Sequence, residues 1–220
     1  MIEQQYIQTD FKWPLYADAT LAGLAALFPI PLVDMMIEDR FRRRIPGAVA
    51  RYHHRSLPTG VAEELNQSQR GWFGTTVLFL AQLPFKLILR LSRKILYFFA
   101  IKAATDQLSE YWQRAFLMNY MLNAGHLETP KSAAQARRAM DEVIERSPSP
   151  LLSVARVVVA NVGGVLGAVW RARRGAHQTA RTQQSWNLIQ QQWDNYRAFL
   201  ISLAEQYTEV YHHRMNGHMV

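Results

Sequence analysis

The chain has 220 residues, of which 49% are apolar, and its 25 Lys and Arg outweigh 17 Asp and Glu to give a net charge of +8. This length suffices to bury a core, and the absence of cysteine excludes disulfides, thiol catalysis and cysteine-based zinc sites. The excess of positive charge points to an anionic partner: a lipid surface, a nucleic acid or an acidic protein face. The opening segment, MIEQQYIQTDFKWP, lacks the basic and apolar regions of a secretory signal, so we expect a cytoplasmic chain.

The first third of the chain combines a proline-containing apolar helix with a polar connection. We predict a helix over residues 15–44, broken or kinked by Pro29 and Pro31. Glycine and proline punctuate residues 45–73, which predicts a loop with one short helix after Pro58. No stretch reads as a convincing strand.

The remainder of the chain is predicted to hold four helices, over residues 74–123, 130–146, 151–174 and 181–213. Thr129 is suited to cap the second of these helices, and Pro130 to occupy its first turn. The SPSP motif at 147–150 interrupts the helical pattern. We therefore predict a single helical domain over 1–220, with 147–150 as its one candidate sub-boundary.

Two of these helices carry apolar residues at alternating spacings of three and four. In the long helix the seam comprises Ile101, Ala104, Leu108, Tyr111, Ala115, Met118 and Leu122. In the last helix it comprises Trp186, Ile189, Trp193, Tyr196, Leu200, Leu203, Tyr207 and Val210. A narrow seam of this period needs a covering helix. We predict an all-α fold, either a long-helix bundle or an antiparallel helical hairpin, with shorter apolar helices packed on it; the seams then join each other, join copies of the chain in a coiled coil, or form ordinary core.

Three apolar stretches, residues 21–33, 76–91 and 151–170, each carry or meet a cluster of basic residues. A helix needs about 20 apolar residues to cross a bilayer, and only the third stretch is that long, with Arg156 and Asn161 inside it. If the first two stretches both spanned, their basic clusters would lie on opposite faces, against the positive-inside tendency. We therefore predict in-plane or shallow amphipathic helices on one leaflet. The predicted lipid-binding residues are Arg40, Arg42, Arg43, Arg44, Lys86, Arg90, Arg93, Lys94, Arg171, Arg173 and Arg174.

Small residues recur at four-residue spacing in the first and third apolar stretches. Ala19 and Gly23 form such a pair, and Gly163 and Gly167 form a GxxxG motif. These faces let helix backbones approach closely, which is a packing device in membranes and in other helical proteins. The predicted helix-packing residues are Gly163, Gly164, Gly167, Trp186 and Trp193.

The stretches ATLAGLAALFPIPLVDMMIED and VVVANVGGVLGAV resemble the Ala/Gly-rich, proline-punctuated helices of bacterial EcsC-type proteins. Proteins of that family are membrane-associated and largely helical. The resemblance implies a bacterial, membrane-linked protein and supplies no site residue.

No catalytic motif stands out in the sequence. The chain contains no GxxxxGK[ST], HExxH, GxSxG or GxGxxG motif, and its adjacent histidine pairs lack the i, i+4 spacing of a helical metal site. Asp34, Glu38 and Arg42 step by four, which predicts a helical salt ladder. We therefore predict no enzymatic activity, no cofactor or metal site, and no small-molecule substrate.

The predicted function is that of a non-enzymatic peripheral or monotopic membrane protein, which binds anionic lipid on the cytoplasmic face of a membrane, with the bacterial inner membrane favoured. Self-association or a scaffold role accompanies this prediction. The alternative is a cytoplasmic helical adaptor whose apolar stretches are core and whose arginines bind an acidic protein. Nucleic-acid binding is a weaker third candidate, because the arginines adjoin the most apolar parts of the chain and no helix-turn-helix spacing is present.

Overall fold

The computed structural model describes residues 3–27, 33–67, 93–147, 151–173, 187 and 189–216. Within these ranges the regular structure is entirely helical, which confirms the all-α prediction. The α-helices are α1 (Trp13–Leu24), α2 (Val33–Arg42), α3 (Ile45–Tyr52), α4 (Val61–Asn66), α5 (Arg93–Asn123), α6 (Pro130–Arg146), α7 (Leu152–Ala160), α8 (Val162–Arg173) and α9 (Arg197–Asn216). Glu3–Tyr6 and Ala25–Leu27 form short 3₁₀ helices, and residues 189–194 are helical.

Helix α1 lies at the centre of the described fold. Every residue of α1 except Pro14 is buried, and the helix packs against α2, α3, α5 and α8. A helix that is apolar on all sides occupies a core position, because no face of it is suited to water. The described part of the first apolar stretch, residues 21–27, is therefore buried or packed against the core.

An aromatic cluster ties the N-terminal segment to the centre of the chain. Phe11 stacks on Tyr16 with ring centroids 4.9 Å apart, and Trp193 lies 5.5 Å from Trp112. The Trp193 indole N–H donates to the Thr9 carbonyl over 2.6 Å. Edge-to-face and offset pairs of this kind stabilise beyond the area they bury. Trp112 is not one of the α5 seam residues, so this contact lies beside the seam predicted for that helix.

The two apolar seams are core within one chain. The buried seam residues are Ala104, Leu108, Tyr111, Ala115, Met118 and Leu122 of α5, with Ile189, Trp193, Leu200, Leu203 and Tyr207 from the last part of the chain. Helix α9 packs against α6 as well as α5, so the two seams are not an isolated hairpin. Because these side chains are covered within the chain, a second copy would have to use other residues.

Several helix boundaries differ from the sequence prediction. The helix predicted over residues 15–44 is two separate helices, α1 and α2, and the last predicted helix is interrupted by a turn at Asn195 and Tyr196. Helix α3 was predicted as loop because of its Pro46-Gly47 pair. Proline is compatible with the first turn of a helix, where its missing N–H has no intrahelical partner, and Pro46 lies in that turn.

The third apolar stretch is a bent pair rather than one straight helix. Helices α7 and α8 meet at Asn161 with a bend of 93°. The Asn161 side-chain amide donates to the Val157 carbonyl over 2.8 Å, which competes with regular helical bonding. Gly163 and Gly164 follow after Val162, and glycine costs about 0.5–1 kcal/mol in a helix interior.

The start of α6 agrees with the prediction. Thr129 caps the helix, Ser132 completes a reciprocal capping box with it, and Pro130 occupies the first turn. The helix ends at Arg146 with Ser147 as its C-cap. Residues 148–150 of the SPSP motif lie outside the described residues, and Val143 and Leu151 on its two sides belong to one hydrophobic cluster.

Candidate functional site

Helix α2 presents two chemically different faces. Its inner face carries Glu38 and the partly buried Phe41, which packs against the core. The Tyr111 hydroxyl of α5 donates to Glu38 Oε1 over 2.5 Å. Burial raises the pKa of Glu38, although the Tyr111 hydrogen bond and the charge of Arg42 oppose that rise. This partly buried hydrogen bond therefore links α2 to α5.

The outer face of α2 combines two large apolar side chains with two arginines. Met35 is 49% exposed and Met36 is 73% exposed, and Arg40 and Arg43 are exposed one turn or two turns further along. Methionine is usually among the most buried residues, so an adjacent exposed pair is informative. We call Met35, Met36, Arg40 and Arg43 the α2 surface.

Asp39 forms salt bridges with two of the predicted lipid-binding arginines. Arg42 Nη2 lies 2.6 Å from Asp39 Oδ1, and Arg43 Nε lies 2.6 Å from Asp39 Oδ2. Desolvation opposes ionisation of Asp39, but the hydrogen bonds from the two arginines outweigh it and lower the pKa of this carboxyl. Arg42 also donates to the Asn66 carbonyl over 2.9 Å and its side chain is only 23% exposed, so its contacts are structural.

The predicted salt ladder on α2 is wrong in its pairing. Glu38 accepts from Tyr111, and Asp34 accepts from the backbone N–H of Met35, whereas Arg42 bonds to Asp39 three residues earlier. The inward position of Glu38 explains the difference, because it brings the carboxylate to α5. Of the three acids of this helix, Asp39 is the one that pairs with the arginines that follow it.

Arg44 faces a buried carboxylate in α1. Its Nε lies 3.9 Å from Asp18 Oδ1, and Arg51 Nη2 lies 4.0 Å from Asp18 Oδ2. The Asp18 side chain is only 4% exposed, so the two arginines place positive charge beside a buried carboxyl group. Sequence reasoning missed Arg51, although its i+7 spacing from Arg44 on one helix face was a usable signal.

Helix α8 carries a second pairing of an exposed apolar residue with arginine. Val165, Ala168 and Val169 are buried, whereas Trp170 is 45% exposed and Arg171 is exposed beside it. We call Trp170 and Arg171 the α8 surface. Both α2 and α8 pack against α1, so the helices that carry the two surfaces share one core neighbour.

Most of the remaining predicted site residues lie wholly or partly outside the described residues. Lys86, Arg90, Arg174 and Trp186 lie outside the described residues, as do the side chains of Arg93, Lys94 and Arg173. Gly164 and Gly167 lie half-buried in α8. A Cβ built on Gly163 would meet no atom within 4 Å, so in the described part of the chain this glycine marks no close helix contact. The close approach lies instead at Gly23, where a Cβ would meet the backbone of Leu108 at 2.4 Å.

A search of the described residues finds no single helix that is long and apolar enough to cross a membrane, and only the bent α7–α8 pair meets the length and composition criteria when taken together. In the same ranges no group of three or more His, Asp or Glu side chains is arranged to hold a metal ion. Comparisons with protein-family models, with curated proteins and with solved structures gave no match.

Proposed function

We propose that the protein is a non-enzymatic peripheral or monotopic membrane protein that binds anionic lipid on the cytoplasmic face of a bacterial membrane. One observation carries the proposal. Three of the five large apolar side chains that are exposed in the described part of the chain, Met35, Met36 and Trp170, share a helix with the exposed Arg40 or Arg171. The arginine one turn from Ile201 is Arg197, which donates to Asp10 and Asp194 instead. An anionic lipid leaflet binds a surface that combines apolar side chains with cations. The acyl chains accommodate the apolar side chains, and the headgroups attract the cations.

The energetics support reversible association. Each arginine near an anionic leaflet contributes roughly 1 kcal/mol, and full burial of one methionine side chain contributes roughly 1.5–3 kcal/mol. Arg40, Arg43 and Arg171 together with the three apolar anchors therefore suffice for binding that salt weakens but does not abolish. Arg42 takes no part in this proposal, because its side chain is only 23% exposed and donates to Asp39 and to the Asn66 carbonyl. Arg43 also pairs with Asp39, but its side chain is 65% exposed.

Vesicle flotation tests the proposal. The full chain should float with vesicles containing anionic lipid and not with neutral phosphatidylcholine vesicles, and high salt should reduce the floated fraction. Replacing both anchors, Met35→Ser and Met36→Ser, should reduce binding at least about fivefold, which corresponds to roughly 1 kcal/mol of lost apolar transfer. Ile201→Ser is the matched control, because Ile201 is 38% exposed on α9 away from both surfaces. A chain that ignores anionic vesicles at low salt contradicts the proposal.

The second candidate is a helical adaptor that binds an acidic protein through the same arginines. The burial of α1 and of the inner faces of α7 and α8 favours it, because the first and third apolar stretches then serve as core. The two candidates differ at Met35 and Met36. An adaptor held by charge alone should bind a polyglutamate column in a salt-sensitive way that the double methionine variant does not alter.

Self-association remains part of the proposal only through surfaces other than the seams, which are covered within one chain. Sedimentation velocity with and without detergent tests it. A single monomeric species across a wide concentration range counts against a homo-oligomeric scaffold.

A further inference from the structure

The guanidinium groups of Arg44 and Arg51 face the Asp18 carboxylate without hydrogen bonding to it. Arg114, Arg197 and Arg214 each donate to carboxylate oxygens at hydrogen-bond distance. Arg44 and Arg51 approach Asp18 only to 3.9 and 4.0 Å, which is too long for a hydrogen bond. Within the described residues neither guanidinium group donates a hydrogen bond, so Asp18 attracts both groups while their side-chain N–H donors make no hydrogen bond to it.

The two guanidinium groups share one face of the chain around α3. Arg44, Gly47 and Arg51 follow at i, i+3 and i+7, which places them in a row on a helix. A Cβ on Gly47 would lie 3.3 Å from Arg51 Nη1, so the Arg51 side chain folds back over this glycine. Because Gly47 has no side chain, the Arg51 guanidinium lies close against the helix at this position.

The net charge of this group and the exposure of its two arginines both favour binding of an external anion. The two arginine side chains are 42% and 65% exposed, while the Asp18 side chain beneath them is 4% exposed. Two positive charges against one negative charge leave the group with a net charge of +1. A planar guanidinium presents its donors in a fork that matches the oxygens of a phosphate group.

We propose that Arg44 and Arg51, positioned by Asp18 and Gly47, form a binding site for a phosphate group. The inference deepens the proposed function and rests on it for the source of the ligand, which is the phosphomonoester headgroup of an anionic lipid. Free phosphate shares the same chemistry, and the experiment separates the two sources. The α2 surface would then give general attachment to the membrane, and the Arg44–Arg51 site would select among anionic headgroups.

The test compares vesicles that contain phosphatidic acid, a phosphomonoester, with vesicles that contain phosphatidylglycerol, a phosphodiester, adjusted to equal zeta potential. The wild-type chain should prefer phosphatidic acid by about tenfold, the effect of one or two additional charge-assisted hydrogen bonds. Inorganic phosphate should compete for this preference and should protect the chain in thermal unfolding.

The deciding variant is Arg44→Lys combined with Arg51→Lys. It keeps both charges near the buried Asp18, so the fold and the surface charge are retained while the fork geometry is lost. Arg138→Lys on the exposed face of α6 is the matched control. The double variant should bind both vesicle types equally, and the control should keep the preference. Arg51→Lys alone, expected to lose part of the preference, is the second variant if the double variant misfolds.

Each other outcome has a defined meaning. Vesicle binding without a preference overturns the phosphate site and leaves the proposed function intact. A preference that survives in the double variant also overturns the site. Protection by inorganic phosphate that the double variant loses, without binding to any vesicle, supports the site with free phosphate as its ligand and contradicts the proposed membrane function.

Discussion

Gly23 of α1 lies directly against the backbone of Leu108 in α5. A Cβ on Gly23 would be 2.4 Å from the Leu108 Cα and 2.8 Å from its nitrogen, and Leu108 is fully buried. Because the obstacle is main chain of a long helix rather than the end of a flexible side chain, the two helices can accept a methyl group only by moving apart. The crossing of α1 and α5, which organises the core, therefore depends on a single glycine.

We predict that Gly23→Ala destabilises the protein by at least about 3 kcal/mol, the upper end of the usual cost of overpacking. Urea unfolding followed by circular dichroism measures this change. Gly163→Ala in α8 is the matched control: its Cβ would meet nothing within 4 Å, and it should raise the free energy of unfolding by roughly 0.5–1 kcal/mol. Equal effects of the two substitutions would contradict the close crossing.

The protein should be more stable with glycine in place of His54. His54 follows α3 with a φ of 53°, and the Arg55 N–H bonds to the Ala50 carbonyl, which together form a Schellman-type helix end. Gly125 occupies the equivalent position after α5, with a φ of 78°. The left-handed conformation costs an L-residue roughly 1–2 kcal/mol, of which glycine entropy cancels part.

We therefore expect His54→Gly to raise the free energy of unfolding by about 0.5–1 kcal/mol. His54→Ala, which removes the same ring but keeps the Cβ, should give no gain. Thermal and urea unfolding of the three chains under one condition decide the matter. Loss of stability in both variants would show that the imidazole itself stabilises this turn.

Glu38→Gln should stabilise the protein at neutral pH. Burial raises the pKa of Glu38, so the folded state binds its proton more tightly than the unfolded chain does. Its contribution to stability is then full below the ordinary glutamate pKa of 4.5 and is lost as the pH rises through the raised value. Glutamine keeps an acceptor for the Tyr111 hydroxyl without carrying the charge.

The gain from Glu38→Gln should therefore be present at pH 7, should shrink as the pH falls through the raised pKa of Glu38, and should be absent below 4.5, the ordinary glutamate value. Urea midpoints at several pH values between these limits measure it. Glu145→Gln, at an exposed position of α6, is the control and should show no comparable dependence. A variant that is less stable than wild type at pH 7 would refute the assignment of Glu38 as a disfavoured buried charge.

Arg40 and Arg42 lie two residues apart and should respond differently to the same loss of charge. Arg42→Ser removes bonds to Asp39 and to the Asn66 carbonyl and should cost roughly 1–3 kcal/mol of stability. Arg40→Ser should leave stability within about 0.5 kcal/mol of wild type. In flotation, Arg40→Ser should weaken binding to anionic vesicles about fivefold, since one arginine near such a leaflet contributes roughly 1 kcal/mol. Unchanged flotation of Arg40→Ser would remove this residue from the α2 surface.

Local sequence signals predicted much of the fold. The Thr129-Pro130 pair located the start of α6, because capping and first-turn proline are decided by neighbouring residues. The alternating spacing of apolar residues identified the buried sides of α5 and α9, because that spacing follows directly from helix geometry.

Features that depend on distant contacts could not be predicted. The bend at Asn161 requires knowing that α7 packs against α5 and α8 against α1, and the burial of α1 requires knowing how many helices surround it. Length and hydropathy alone cannot distinguish a buried helix from one that meets lipid. The exposure of Met35 and Met36 could not be predicted either. Two adjacent apolar residues are expected to face the core until the position of their helix in the fold is known.

Insertion of the α2 surface into lipid is the central claim, and the absence of cysteine allows it to be measured at single positions. A Met36→Cys chain labelled with the environment-sensitive fluorophore NBD should brighten and shift to the blue when vesicles containing phosphatidic acid or phosphatidylglycerol are added. The same label at Ile201→Cys should not respond. If the label at position 36 stays in a water-like environment while the chain floats with the vesicles, α2 does not enter the membrane and the account is wrong.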